Sequence, residues 1–129
     1  MDKHKVLIVD DEIGFLKITK SSLESTGKYI VEIMADAKDI ISRVNSFTPD
    51  VILLDIVMPN MDGAETCKIL NDDPAGRGVP IITLTALDRE KDKLMMYKLG
   101  VVDFLIKPIG LDELVAKIEK AVHNKSSRA

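Results

Sequence analysis

The segment Val6-Leu7-Ile8-Val9-Asp10-Asp11-Glu12 places four consecutive apolar residues directly before three acidic ones. An uninterrupted apolar run of this length, rich in β-branched residues, is typical of a strand that is buried on both faces of a parallel sheet. The segment Val51-Ile52-Leu53-Leu54-Asp55 repeats the pattern, again with a carboxylate directly after the run. The two segments therefore predict two fully buried strands, each followed by acidic side chains.

Three further runs have strand length and strand composition: residues 30–34, 81–84 and 102–106. Glu32 and Asp103 interrupt the first and the last of them. Because a charged residue inside a strand is tolerated best at the edge of a sheet, these two strands are predicted to be edge strands.

Between the strands, apolar residues recur at the spacing of one helical face. The predicted helices are marked by Ile13, Leu16 and Leu23, by Ala37, Ile40, Ile41, Val44 and Phe47, by residues 62–70, by residues 88–99, and by Leu111, Leu114, Val115, Ile118 and Val122. Asp36 and Asp62 are predicted to cap the second and third helices, and Gly100 to end the fourth. Five strands that alternate with five helices predict a single-domain α/β fold, a (βα)5 doubly wound parallel sheet.

The composition narrows the class of protein. The chain has 129 residues, 30% charged and 46% apolar, which is ordinary for one globular domain. A single cysteine, Cys67, excludes an internal disulfide and a multi-cysteine metal site. A net charge of −3 argues against direct nucleic-acid binding by this domain. Without an apolar run of membrane-spanning length or a signal peptide, we expect a cytoplasmic protein that makes no membrane contact.

Polar residues collect where the predicted strands end. Asp10 and Asp11 follow the first strand, Asp55 the third, Thr85 the fourth and Lys107 the fifth. Ligands of open parallel sheets bind beyond the carboxyl ends of the strands, so these side chains are predicted to converge. Three mutually repelling carboxylates need compensating positive charge, which Mg²⁺ and a lysine can supply. A carboxylate can also act as a nucleophile towards a phosphoryl group and become an aspartyl phosphate.

The motifs resemble the receiver domain of two-component response regulators. They are Val9-Asp10-Asp11-Glu12, Asp55-Ile56-Val57-Met58-Pro59-Asn60-Met61-Asp62-Gly63, Thr85-Ala86 and Lys107-Pro108, at intervals similar to those of that family. The resemblance covers the chain from about Lys5 to Val122, and it implies the flavodoxin-like strand order 2-1-3-4-5. The domain is expected to span residues 1–122, with residues 123–129 as a tail or the start of a linker.

The resemblance also implies a role for each site residue. Asp55 is expected to accept the phosphoryl group, and Mg²⁺ to bind Asp55, Asp11 directly, Asp10 largely through water and the backbone carbonyl of Val57. Thr85 is expected to hydrogen-bond the phosphoryl group and Lys107 to form an ion pair with it. The peptide bond between Lys107 and Pro108 is expected to be cis.

A conformational switch is implied as well. Thr85 would move towards the phosphoryl group, and Phe104 would turn into the space that is opened. This movement alters the surface formed by the fourth predicted helix, the fifth strand and the fifth helix. The expected partners are a sensor histidine kinase or phosphotransfer protein, an output domain or downstream protein, and a second copy in a phosphorylation-linked dimer.

Other functions are weaker readings of the same residues. A Mg²⁺-dependent phosphohydrolase that acts through an aspartyl phosphate would place Asp-x-Asp after the first strand, where this chain has Asp10-Asp11-Glu12. A receiver-like module without phosphorylation is disfavoured because every site residue is present. Nucleotide binding is not indicated, since no glycine-rich phosphate loop occurs. The chain is thus expected to be a signalling phosphoacceptor and not a turnover enzyme.

Overall fold

A computed structural model describes residues 3–58, 61–85 and 98–127, with the backbone alone for residues 57, 58, 61, 62, 85 and 125–127. In chain order the described elements are β1 (His4–Val9), α1 (Ile13–Ser25), β2 (Tyr29–Met34), α2 (Ile40–Phe47), β3 (Val51–Asp55), β4 (Val57–Met58), β5 (Met61–Asp62), α3 (Gly63–Asp72), β6 (Ile81–Thr85), β7 (Asp103–Ile106) and α4 (Leu111–Ser127). Each of the five predicted strands is found to within two residues. The predicted helix at residues 88–99 lies outside the described residues except at its end.

The five long strands form one parallel sheet in the order β2-β1-β3-β6-β7. Counted among themselves these strands have the order 2-1-3-4-5, as expected. The described sheet has β2 and β7 at its edges, which confirms the prediction from Glu32 and Asp103. Each edge carboxylate meets a cation from a helix: Arg43 lies 3.0 Å from Glu32, and Lys117 lies 2.9 Å from Asp103.

Two apolar cores cover the two faces of the sheet. Side chains alternate along a strand, so Val6 and Ile8 of β1 enter one core while Leu7 and Val9 enter the other. The first core is closed by α1 and α4, and its helical members include Leu16, Leu23, Leu114 and Ile118. The second is closed by α2 and α3, and its helical members include Ile40, Val44, Cys67 and Leu70. This division is the doubly wound arrangement that the sequence predicts.

The start of α2 differs from the prediction. Asp36 does not cap this helix; its Oδ1 accepts the Lys38 amide at 2.9 Å and stabilises a turn. Asp39 then adopts a left-handed φ of 61°, and the helix begins at Ile40. An Asp side chain that satisfies a nearby backbone amide is as favourable in a turn as at a helix start, so the sequence pattern did not separate the two.

The predicted apolar faces of α1 and α4 also each include one residue, at the start of the helix, that is not buried. The side chains of Ile13 and Leu111 are 56% and 38% exposed, because each stands in the first turn of its helix, beyond the rim of the core. At the other end, α4 continues five residues past Val122. Residues 123–127 have lost the apolar pattern, but they contain no glycine or proline to stop a helix.

A short hairpin that the sequence analysis did not predict leads from β3 to α3. In it, β4 and β5 pair antiparallel, with Val57 opposite Asp62. At Gly63 a Cβ atom would lie 2.5 Å from the Cα of Ile56, which only glycine avoids. The helix α3 starts at Gly63, directly after Asp62 as predicted, while the capping role of the Asp62 side chain stays a prediction.

A second glycine with a specific backbone role, Gly100, lies shortly before β7. Gly100 has a φ of 83°, the left-handed conformation that suits a helix-ending glycine, while most of the helix that it is predicted to end lies outside the described residues. The side chain of Asn71, near the end of α3, donates a hydrogen bond of 2.7 Å to the carbonyl of Leu99. The end of α3 is thereby tied to the residue before Gly100.

Candidate functional site

The site lies at the edge of the sheet where the carboxyl ends of its strands meet. Asp55 is the last residue of β3, Asp10 and Asp11 follow β1 directly, and Lys107 follows β7. The register aligns these ends: Val9 pairs with Leu54, and Thr85 pairs with Ile106. Because parallel strands in register end at one edge of the sheet, residues that are far apart in sequence meet there.

Three carboxylates form a compact cluster. One oxygen atom from each of Asp10, Asp11 and Asp55 lies within 4.8 Å of the other two. Asp10 is fully buried, Asp55 is 5% exposed, and Asp11 is exposed to solvent. Buried carboxylates at this separation repel one another unless a cation stands close by. The cluster is therefore an anionic site with one solvent-facing carboxylate.

Asp10 is already engaged on both oxygens. Its Oδ1 accepts the backbone amide of Glu12 at 2.9 Å, and its Oδ2 accepts the Lys107 ammonium at 2.6 Å. The carboxylate of Asp11, in contrast, makes no hydrogen bond to any residue that the structure describes. Asp11 consequently offers the freer direct ligand of the two, whereas Asp10 is fixed by the protein.

Lys107 is the cation of the site, and its side chain is only 15% exposed. Its Nζ atom lies 2.6 Å from Asp10, 2.9 Å from Glu12 and 3.7 Å from Asp55. Burial by itself lowers the pKa of Lys107, but the hydrogen bonds to Asp10 and Glu12 and the nearby charges outweigh this effect. The net result is a raised pKa, so that the ammonium stays charged beside Asp55.

Sequence reasoning missed two neighbours of this ammonium. In the sequence Glu12 is only the third acidic residue after the first strand, whereas in the structure its carboxylate joins those of Asp10 and Asp55 around the Lys107 ammonium. The ring of Phe15 lies over the same ammonium, with its centroid 4.4 Å from Nζ. The adjacency of Glu12 to the aspartate pair was a usable signal. No sequence signal pointed to Phe15, because the direction in which the first turn of α1 presents its side chains depends on the tertiary structure.

The donor set fits a hard divalent cation. Carboxylate oxygens are the preferred ligands of such ions, and an exposed ligand leaves room for the waters that a small cation retains. Among the residues that the structure describes here, Asp10, Asp11 and Asp55 bring three negative charges and Glu12 adds a fourth close by, against one positive charge from Lys107. A bound divalent cation would reduce this imbalance.

Some predicted site residues are placed only in part. The backbone of Thr85 ends β6 at the same edge of the sheet, but its side chain lies outside the described residues. Val57 begins β4 two residues after Asp55, also described by its backbone alone. Phe104 lies in β7 opposite Thr83, partly buried against the second core. The peptide bond between Lys107 and Pro108 is cis, as expected.

Comparison with known proteins identifies the family. Residues 6–119 match the response regulator receiver domain. The probable transcriptional regulator ycf27 of Guillardia theta is 39% identical over 127 residues, which cover 98% of this chain and 48% of the relative. PhoP of Bacillus subtilis, an alkaline phosphatase synthesis transcriptional regulatory protein, is 35% identical over 125 residues, or 97% of this chain and 50% of PhoP. The chain thus spans about half the length of these curated relatives.

Solved structures agree with this assignment. Chemotaxis protein CheY4 of Vibrio cholerae superposes with a TM-score of 0.86 at 28% identity, covering 93% of this chain and 99% of CheY4. A CheY-like receiver domain protein from Methanospirillum hungatei gives a TM-score of 0.88 at 26% identity, covering 99% of this chain and all of the other (100%). Among the described residues no helix is both long and apolar enough to cross a membrane. On its sequence match and its fold, this chain belongs to the receiver-domain family of two-component response regulators.

Proposed function

We propose that this receiver domain accepts a phosphoryl group on Asp55 from the phosphohistidine of a sensor histidine kinase or of a phosphotransfer protein. An oxygen of the Asp55 carboxylate forms a bond to phosphorus while the bond from phosphorus to the donor imidazole nitrogen breaks. The electron pair of the broken bond stays on that nitrogen. The domain is a phosphoacceptor that is regenerated by hydrolysis of its own acyl phosphate.

One observation carries this proposal: the Asp55 carboxylate lies close both to the Asp10–Asp11 pair and to the Lys107 ammonium. Its carboxylate lies within 4.8 Å of Asp10 and Asp11 oxygens and 3.7 Å from the Lys107 ammonium. Positive charge on both sides of a transferring phosphoryl group stabilises the charge on its outer oxygens. The lysine is present in the chain, and the carboxylates are suited to recruit the second cation.

The second cation is proposed to be Mg²⁺, held by Asp55, by Asp11 directly and by Asp10 largely through water. The engagement of both Asp10 oxygens within the protein supports this division of roles. The backbone carbonyl of Val57 is proposed as a further ligand, and its place at the start of β4, two residues after Asp55, is compatible with that role. When bound, Mg²⁺ supplies charge neutralisation at the phosphoryl oxygens.

Thr85 and Lys107 are also proposed to bind the phosphoryl group, Thr85 by a hydrogen bond and Lys107 by an ion pair. The alignment of the ends of β3, β6 and β7 supports this role, because it brings the backbone of both residues to the edge that carries Asp55. Lys107 would need little movement, since its ammonium already lies 3.7 Å from the Asp55 carboxylate.

Phosphorylation is proposed to alter the surface that includes β7 and α4, with Thr85 and Phe104 as the switch. Phe104 is partly buried at the sheet edge, and the neighbouring Asp103 already joins β7 to α4 through Lys117. The output is proposed to be a domain or downstream protein that binds this surface, or a second copy of the chain. Addition of beryllium fluoride with Mg²⁺, as a phosphoryl mimic, should shift the amide resonances of Phe104 and Lys117; unshifted resonances would count against the switch.

Intact mass spectrometry tests the phosphoacceptor assignment. The wild-type chain is incubated with acetyl phosphate, with and without Mg²⁺, beside Asp55→Asn and the matched control Asp72→Asn, which changes an exposed aspartate at the end of α3. Wild type and Asp72→Asn should gain one phosphoryl group, only with Mg²⁺, and Asp55→Asn should gain none. Phosphorylation of Asp55→Asn would refute the assignment, and repeated turnover of a phosphomonoester would favour a phosphohydrolase.

A further inference from the structure

The ammonium of Lys107 is enclosed on four sides. Asp10, Glu12 and Asp55 surround it with carboxylate oxygens at 2.6, 2.9 and 3.7 Å. The fourth side is the face of the Phe15 ring, whose centroid lies 4.4 Å from Nζ. Phe15 is itself partly buried, packed against the core between the sheet and the helices α1 and α4. The aromatic ring therefore has a fixed place from which it can hold the lysine.

We propose that Phe15 is a positioning residue for Lys107, which holds the ammonium beside Asp55 through a cation–π contact and thereby speeds phosphorylation. The step that it assists rests on the proposed role of Asp55 as phosphoacceptor. Phe15 does not touch the phosphoryl group; it acts only through the lysine.

The ring contributes what the carboxylates alone do not. Glu12 is 63% exposed, so its bond to Lys107 competes with water and is a weak restraint on a long, flexible side chain. A ring face attracts a cation and also excludes water from one side of it, and the attraction grows as the cation is desolvated. The Lys107 side chain is only 15% exposed, so the ammonium is partly desolvated and its attraction to the ring is stronger than at an exposed site.

The position of the ammonium matters because Lys107 can bond either to Asp10 and Glu12 or to a phosphoryl group on Asp55. In this structure it bonds Asp10 and Glu12 and stands slightly farther from Asp55. Without the ring, the ammonium keeps its bond to the buried Asp10 but can turn towards Glu12 and solvent, away from the place where phosphoryl charge develops. With the ring in place, the ammonium stays close to Asp10 and to Asp55, so that a phosphoryl group on Asp55 meets a cation that is already in position.

Two substitutions at Phe15 separate the cation–π contact from simple packing. Phe15→Leu keeps an apolar side chain but removes the ring, whereas Phe15→Tyr keeps the ring. Val115→Ala is the matched control, because Val115 packs against the same core from α4. The measurements are the rate of phosphorylation by acetyl phosphate with Mg²⁺ and the proton NMR shift of the Lys107 ε-methylene group in the metal-free chain.

We expect Phe15→Leu to slow phosphorylation about threefold to tenfold, the range of a partly desolvated cation–π contact. The Lys107 ε-protons should be shifted upfield by the ring in wild type and in Phe15→Tyr, and this shift should vanish in Phe15→Leu. Val115→Ala should retain both the rate and the shift. Phe15→Tyr should stay within about twofold of wild type.

Several results would overturn the proposal. One is a wild-type Lys107 resonance without any ring shift, which needs no variant and so remains decisive even if Phe15→Leu fails to fold. Equal slowing by the Leu and Tyr substitutions would assign Phe15 to packing alone, and so would an unchanged rate in Phe15→Leu. If the wild-type chain accepts no phosphoryl group at all, the proposed function of Asp55 fails, while the NMR shift still reports on the contact between Phe15 and Lys107.

Discussion

At the scale of single residues, the two adjacent aspartates of the site have different surroundings. Asp10 is buried and accepts two hydrogen bonds, one of them from Lys107. Asp11 is exposed, and its carboxylate has no hydrogen-bond partner within the described part of the chain. The buried Asp10 carboxylate, which accepts two hydrogen bonds, positions Lys107. The exposed Asp11 carboxylate can replace a water molecule on a cation without losing a protein contact.

This difference predicts the effect of Asp11→Asn on metal binding. The substitution keeps the shape of the side chain and removes one charged ligand, so Mg²⁺ affinity should fall at least about tenfold. Titration calorimetry with Mg²⁺ measures the change. The exposed Asp112, in the first turn of α4, provides the control Asp112→Asn, which should bind Mg²⁺ as the wild type does. Equal affinities of wild type and Asp11→Asn would remove Asp11 from the ligand set.

Tyr29 is a second residue with an unusual environment, far from the site along β1 and β2. Its phenol is almost fully buried and donates a hydrogen bond of 2.7 Å to Glu119 of α4. Burial, this hydrogen bond and the charge of Glu119 all raise the pKa of Tyr29 well above its ordinary value. The folded chain therefore keeps the phenol protonated under conditions in which the unfolded chain ionises it.

Replacing Tyr29 tests the consequence for stability. Tyr29→Phe should lower the free energy of unfolding by about 1 kcal/mol at neutral pH, because the hydrogen bond is lost while the ring remains. The tyrosine contributes fully below the unfolded pKa of about 10 and less as the pH rises above it, since only the unfolded chain then releases the proton. Urea unfolding at several pH values should show the two curves converging above that pH. A difference that widens there would contradict the raised pKa.

At the scale of elements, the strands were predictable and the helix boundaries were less so. Runs such as Val6–Val9 are too apolar to be anything but interior strands, and Glu32 and Asp103 indicated the edges correctly. The start of α2 was not predictable, because Asp36 can satisfy an amide in a turn as well as in a helix. The β4–β5 hairpin was missed because its two-residue strands leave no periodic pattern.

The site was predictable to the same extent as the strands. Asp10, Asp11, Asp55 and Lys107 follow strand ends, and parallel strand ends meet at one edge. Phe15 belongs to the first turn of α1, and its contact with Lys107 depends on how α1 packs against the loop that follows β7. That packing is a property of the folded chain and has no trace in local sequence.

Gly63 connects an element boundary to the site. A Cβ atom there would lie 2.5 Å from the Cα of Ile56, the residue directly after Asp55. Gly63→Ala should therefore lower the free energy of unfolding by about 1–3 kcal/mol and displace the backbone next to Asp55, slowing its phosphorylation. Thermal unfolding and the acetyl phosphate rate measure both effects.

Gly14 is the matched control for this substitution. It also lies close to the site in sequence, in the first turn of α1, but a Cβ atom there would meet nothing within 4 Å. Gly14→Ala should raise the free energy of unfolding by about 0.4–1 kcal/mol, because alanine restricts the unfolded chain and suits a helix. If both substitutions have the same sign, the close contact at Gly63 is not the cause.

At the scale of the whole molecule, the site concentrates charge that the fold must tolerate. Asp10, Glu12 and Asp55 lie around the Lys107 ammonium, and Asp11 lies beside Asp10 and Asp55, so that the described residues leave an excess of negative charge at one end of an otherwise apolar sheet. Two of these carboxylates are buried, where repulsion is screened least. The core of the protein thus stabilises an arrangement that is unfavourable without a cation.

The stability of the chain should reveal this arrangement directly. In a metal-free buffer, Asp55→Asn should raise the free energy of unfolding by about 1–3 kcal/mol, because it removes one buried charge from a repelling cluster. Added Mg²⁺ should stabilise the wild type more than the variant, because a ligand that binds only the folded state adds stability that rises with the logarithm of its concentration over Kd. The stability difference between Asp55→Asn and the wild type should therefore shrink. Asp112→Asn, which changes an exposed carboxylate favoured at the start of α4, should give no gain. Urea unfolding, with a chelator and with Mg²⁺, measures these stabilities. If Asp55→Asn is less stable than the wild type without metal, Asp55 stabilises the fold through its bonds and does not destabilise it by repulsion.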